Sequence, residues 1–241
     1  MYEFTSRVRY SEIGPDYHMK LSSLIARMQD CCVFHSSSVG RGPDIWISSR
    51  CAWLVLTWHV RIHSLPVFET PVTTRTWAYS FRGFEGMRNF TLRDDRGTLL
   101  ADANSRWLYF NLDKQQPVRV PPEESDAFGL EPKLEDFPSA PRRIALPEGP
   151  WTEEKSFEIV PTNIDTNEHV NNLQYIDMAL SYLPKDISVS ELRVEYVRQS
   201  VLGDRLTPRT ARTDDAFYVS LENEQALPCA NLMFLATGDA P

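Results

Sequence analysis

The chain contains one pattern twice, and that repeat restricts its fold more than any other feature. "YEFTSRVRYSEIGPDYHMKLSSLIARM" passes from alternating residues through a short polar loop into an amphipathic stripe. Its Leu21, Leu24, Ile25 and Met28 follow the i, i+3, i+4, i+7 spacing of a helix. "KSFEIVPTNIDTNEHVNNLQYIDMAL" does the same, with Val170, Leu173, Ile176 and Leu180 as its stripe. At an offset of 151, Ile13 meets Ile164, His18 meets His169 and Ile25 meets Ile176. Further along the offset becomes 134, pairing "WLVLTWHVRI" with "ELRVEYVRQ". The alternation predicts that Leu54, Leu56, Trp58, Val60 and Ile62 share one strand face, and Leu192, Val194 and Tyr196 another. Further strand-like runs follow in each copy.

A helix followed by antiparallel strands is an α+β arrangement. One helix wrapped by a curved sheet is the pattern of a hotdog domain. The expected fold is two tandem hotdogs in one chain: residues 1–120, a connector at 121–152, and 153–241. Eight of the seventeen prolines fall between residues 117 and 153, which marks the connector. A single copy would leave sheet edges exposed, which favours pairing of the copies.

Bulk properties narrow the function classes. A net charge of −8 argues against general nucleic-acid binding. No apolar run reaches the ~20 residues of a membrane span, and the opening "MYEFTSRVRYSE" lacks an apolar core of signal-peptide length. The four cysteines lack CxxC spacing and read as reduced thiols. A cytoplasmic protein without membrane insertion is expected.

"IDTNEHV" holds the chemistry. Asp165, Asn167 and His169 stand two residues apart at the mouth of a helix expected over 169–182. Helix capping is the plain explanation. A calcium loop fails because Val170 stands where glycine is needed and Ile176 where glutamate is needed. No HExxH zinc pair and no GxSxG nucleophile turn are present. The repeat shifts the balance. Gly14, Asp16 and His18 occupy the equivalent positions, so the triad is complete once only. A duplicated fold with one working site has this form.

"NIDTNEHVNNLQYI" resembles the signature of the plant-type acyl-ACP thioesterases, also found in bacteria. "LRVEYVRQSVLGD" and "ANSRWLYFNLD" resemble other parts of that family. The resemblance implies a double hotdog that hydrolyses fatty acyl-ACP thioesters in fatty acid biosynthesis. It implies no cofactor, no metal, and acylated acyl carrier protein as substrate and partner; a homodimer is compatible with it. Carried over by position, Asp165, Asn167 and His169 are catalytic. Plant members place a catalytic Glu, then a Cys, where this chain has Gln199 and Ser200. Glutamine is no base, so Asp165 becomes the remaining carboxylate and Gln199 a water-positioning residue. Alternation places Gln199 on a polar strand face with Arg193, Glu195 and Val197. Amides at the start of the helix are expected to hold the oxyanion. Leu21, Leu24, Ile25, Met28, Trp53 and Val55 of the first copy are candidate acyl-channel residues. Arg142, Arg143, Arg193 and Arg198 are candidate contacts for the acidic carrier. A hotdog dehydratase and a non-catalytic acyl-binding protein are the alternatives.

Overall fold

The computed structural model describes residues 1–236. The last five residues assigned to the C-terminal domain lie outside it. The chain forms two compact units, Met1–Ser139 and Ala140–Pro241.

In the first unit, β1 (Tyr2–Arg7), helix α1 (Leu21–Ser38), helix α2 (Pro43–Ser49), β2 (Cys51–Ile62), β3 (Pro71–Arg82), β4 (Glu85–Asp94) and β5 (Leu99–Asn111) follow in order. The sheet order is β1-β3-β4-β5-β2, all antiparallel, with short β6 (Gln116–Pro117) beside β5. Helix α1 buries its stripe of Leu21, Leu24, Ile25, Met28, Cys31, Cys32 and His35, packing on β1 and β3. It ends where Gly40, at φ 69°, turns the chain so that the Arg41 amide reaches Ser36 O (2.7 Å).

The alternation expected along β2 is broken. A bulge at Leu56 lets the register slip between Val55 and Thr57. The extra residue reverses the faces on either side. Trp53 and Val55 therefore share the face of Trp58 and Val60, and Leu54 lies on the other.

The second unit contains β7 (Thr152–Glu153), β8 (Phe157–Glu158), helix α4 (Asn172–Leu180), β9 (Val189–Tyr196), β10 (Arg205–Arg212), β11 (Ala216–Glu222) and β12 (Pro228–Ala236). Its sheet order is β9-β12-β11-β10-β7. Tyr175, Ile176 and Ala179 of α4 are buried, and α4 packs on β11 and β12.

The repeat is reproduced in backbone detail. Gly14 N donates to His18 O at 2.8 Å, and Asp165 N to His169 O at 2.8 Å. Lys20 N donates to Glu12 O and Asn171 N to Asn163 O, both at 2.9 Å. Tyr17 and Glu168 both adopt positive φ, 64° and 62°. The 134 offset holds as well: Met19 N reaches Pro66 O and Val170 N reaches Ser200 O, both at 2.9 Å. Most of the 17 residues by which the offsets differ lie in a longer α1, 18 residues against 9 in α4, and in the 7-residue α2.

The segment expected to connect the copies is strapped down. It contains helix α3 (Pro122–Phe128), and the break between units falls inside it. In the first unit Trp77 Nε1 donates to Pro132 O (2.8 Å), the Leu134 amide to Asn89 Oδ1 (3.1 Å) and Arg61 Nη1 to Asp136 O (2.9 Å). Phe128 and Phe137 are buried. In the second unit the Ile144 amide donates to Glu195 Oε2 (3.1 Å).

Candidate active site

The Asp-Asn-His stretch is a tight loop that precedes the helix. Ile164 and Val170 form an isolated β-bridge, and Glu168 at φ 62° turns the chain between them. A helix cannot pass through that geometry, so α4 starts at Asn172 and not at 169. Its cap is Asn171, whose Oδ1 accepts from the Leu173 amide at 3.0 Å. The capping explanation for Asp165, Asn167 and His169 is thereby removed.

Asp165 Oδ1 accepts from the Asn167 amide at 2.8 Å, which fixes the carboxylate inside the loop. Asn167 is exposed and Asp165 half-buried. His169 is half-buried, and its Nδ1 is buried without a hydrogen-bond partner among the described residues. Its counterpart differs: His18 Nδ1 lies 3.0 Å from Asp16 O.

The bond from Val170 N to Ser200 O ties this loop to the segment that follows β9. Gln199 is there and exposed, but not on a strand. The strand stops at Tyr196 because the amides of Val197 and Arg198 both turn to Cys229 O (2.8 and 3.1 Å). The expected polar strand face for Gln199 is corrected accordingly. Ser200 is buried, and its amide donates to Tyr175 Oη at 3.1 Å. Burial pushes the Tyr175 phenol up to about 12, so it stays protonated at neutral pH.

Of the amides at the helix mouth, those of Val170, Asn171, Leu173 and Gln174 have partners within the fold. The Asn172 amide, at the first residue of α4, and side-chain donors are left for the expected oxyanion role.

In the first unit a cavity of about 40 Å³ opens beside the second half of α1. Trp46, Trp53, Phe81, Trp107 and Phe128 make it largely aromatic, and Arg88 is its charged member. Of the six channel candidates Trp53 lines this cavity. Leu21, Leu24, Ile25, Met28 and Val55 are buried in the unit's core. Sequence reasoning missed Arg88, although a signal existed. Gly86, Arg88, Phe90 and Leu92 alternate along β4 and are all buried, so an arginine stands in a core-facing row.

Of the proposed carrier contacts, Arg193 Nη2 donates to Pro141 O (2.6 Å) and Arg198 Nη1 to Pro228 O (3.0 Å). Arg142 and Arg143 are exposed. No group of residues able to hold a metal ion occurs among the described residues.

Two tandem hotdogs, with a complete triad loop in one and an aromatic cavity in the other, define the double-hotdog class. The acyl-ACP thioesterase N-terminal domain matches residues 1–128, and the acyl-ACP thioesterase C-terminal domain matches residues 151–239. The chain therefore belongs to the acyl-ACP thioesterase family. It is 26% identical over 204 residues to oleoyl-acyl carrier protein thioesterase 2, chloroplastic, of Arabidopsis thaliana, covering 78% of this chain and 55% of that protein. It is 24% identical over 251 residues to dodecanoyl-[acyl-carrier-protein] hydrolase, chloroplastic, of Cinnamomum camphora, covering 97% of this chain and 64% of that protein. The chain thus spans under two thirds of the length of these plant relatives. Its fold superposes on an acyl-ACP thioesterase from Bacteroides thetaiotaomicron with a TM-score of 0.86 at 20% identity, covering 98% of this chain and 97% of that one.

Proposed function

We propose that this chain hydrolyses fatty acyl-ACP thioesters to free fatty acid and carrier protein, ending chain elongation. The observation that carries this reading is the buried Nδ1 of His169, without a partner in a loop whose duplicate holds its histidine by Nδ1. The family assignment supports it.

A thioester expels a thiolate with a pKa near that of cysteine, ~8.5, so the leaving group needs little acid help. The work lies in delivering water and stabilising the oxyanion. In this proposal Asp165 takes the proton from water. Its Oδ1 is held by the Asn167 amide, which keeps the carboxylate in place. Gln199, exposed beside the loop's anchor at Ser200, holds that water. The side chains of Asn167 and His169 donate to the oxyanion. Ser200 is assigned no chemical step; its carbonyl anchors the loop by accepting from the Val170 amide.

The aromatic cavity of the first unit is proposed to take the acyl chain, where each buried methylene contributes ~0.8 kcal/mol. Acyl carrier protein is the proposed partner, with exposed Arg142, Arg143 and Arg198 as contacts. No helix among the described residues is long and apolar enough to cross a membrane. Four free thiols fit the proposed reducing, cytoplasmic setting.

A panel of acyl-ACPs of graded chain length, scored for free thiol and free fatty acid, tests the reading. Release from saturated chains is expected. Turnover of enoyl or hydroxyacyl thioesters without thiol release would point to a dehydratase, and bound lipid without turnover to a binding protein.

A further inference from the structure

Arg88 is 7% exposed and lines an aromatic cavity. Nothing in the second-unit reaction uses it. Its guanidinium carries five donors, no acceptor and a permanent charge. Its recorded partners are all uncharged. Nη2 bonds His35 Nδ1, Nε lies 3.3 Å from Thr76 Oγ1, and the Phe128 ring stacks on it at 5.2 Å. No carboxylate is paired with it among the described residues. His35 adds no negative charge and accepts as the neutral base. Burial, then Arg88 itself, holds its imidazolium pKa down to about 3.

A buried cation without a counter-charge is costly, and covering it with a methyl-ended chain raises the cost. An oxygen acceptor lowers it, and a carboxylate most, through charge-assisted and bidentate hydrogen bonds. The cavity's 40 Å³ holds on the order of three water-sized groups. That is room for the last few groups of a chain.

We propose that Arg88 makes the first-unit cavity select aliphatic chains that end in an oxygen acceptor, a carboxylate or a hydroxyl, over chains that end in a methyl group. This rests on the reading of the cavity as the acyl-chain site.

The test has two arms. The first measures kcat/KM of the wild-type chain for acyl-ACPs of one length ending in methyl, hydroxyl or carboxylate. A preference of at least tenfold for the oxygenated ends is expected. Arg88→Met should erase it, and Arg88→Lys should retain part of it. Equal rates, or faster turnover of the methyl-ended chain, would overturn the proposal, as would an unchanged preference in a folded Arg88→Met. The wild-type comparison decides even if that variant does not fold.

The second arm uses calorimetry with octanoate and methyl octanoate and needs no turnover. Octanoate should bind the wild type at least tenfold more tightly, and Arg88→Met should bind the two alike. If no acyl-ACP is hydrolysed, the thioesterase reading fails while this arm still judges the cavity; equal wild-type binding overturns the site. Arg88-dependent octanoate binding without any chain-end preference in turnover would assign the site to free fatty acid and overturn the proposal as stated.

Discussion

Two histidines in the same loop geometry meet different fates. His18 is held by Asp16 O through Nδ1, whereas His169 keeps that atom buried and without a partner. His169→Ala is therefore expected to lower kcat at least ~100-fold, the low end for a group acting in acid–base or oxyanion chemistry. His18→Ala should stay within a few-fold, and equal losses in a single-turnover assay would remove the one-site reading. Gln199→Ala should cost at least tenfold in kcat, about 1.4 kcal/mol of barrier. Asp165→Asn should cost more, because it removes the proposed base. Retained activity in both would dismantle the mechanism. His35 makes a separate prediction about acid stability. Its folded pKa, about 3, lies below the ordinary value of ~6.5. Between these values the unfolded chain binds the extra proton, so the stability contributed by the neutral ring is full above about pH 6.5 and declines as pH falls toward 3. Melting curves from pH 7 to pH 4 should fall less steeply for His35→Gln than for the wild type. Parallel curves would contradict the assignment.

At the level of elements, helices and strands were legible because apolar spacing reports burial directly. The stripe on α1 and the alternation in β9 both carried that signal. What the sequence hid were interruptions made by single residues. The bulge at Leu56 changes no residue type, yet it brings Trp53 onto the inner face. The positive φ at Glu168 shortens the expected 169–182 helix to 172–180, and alternation does not register it. The candidate triad stood out from plain capping residues because the duplicate lacks it. The neighbour Gln199 was legible by position, but its strand had already ended. Gly86 illustrates packing that only coordinates reveal. A Cβ there would lie 3.0 Å from the ring atoms of Trp53 and Phe81. Gly86→Ala should push Trp53 into the cavity and shift the acyl preference toward shorter chains by at least two carbons. That forfeits ~0.8 kcal/mol for each excluded methylene. An unchanged chain-length profile would place the acyl site elsewhere.

For the whole molecule, net charge sets a problem, since a chain of −8 is proposed to meet an acidic partner. Local cations must offset the general repulsion. Arg198 is exposed, beside Gln199. Arg198→Glu should raise KM for acyl-ACP several-fold, with the effect shrinking as salt rises. KM for a small acyl thioester without the carrier should be unaffected. A shift common to both substrates would mean a damaged site and not a lost contact.

The strap between the units also bears on synthesis at the ribosome. Trp77, Asn89 and Arg61 all take partners from residues 132–136, and Phe128 and Phe137 fill the same unit. A nascent chain that has delivered β5 still lacks these partners. Once residue 139 has emerged, the first unit holds every one of them, before the candidate catalytic loop at 165–169 has emerged in its turn.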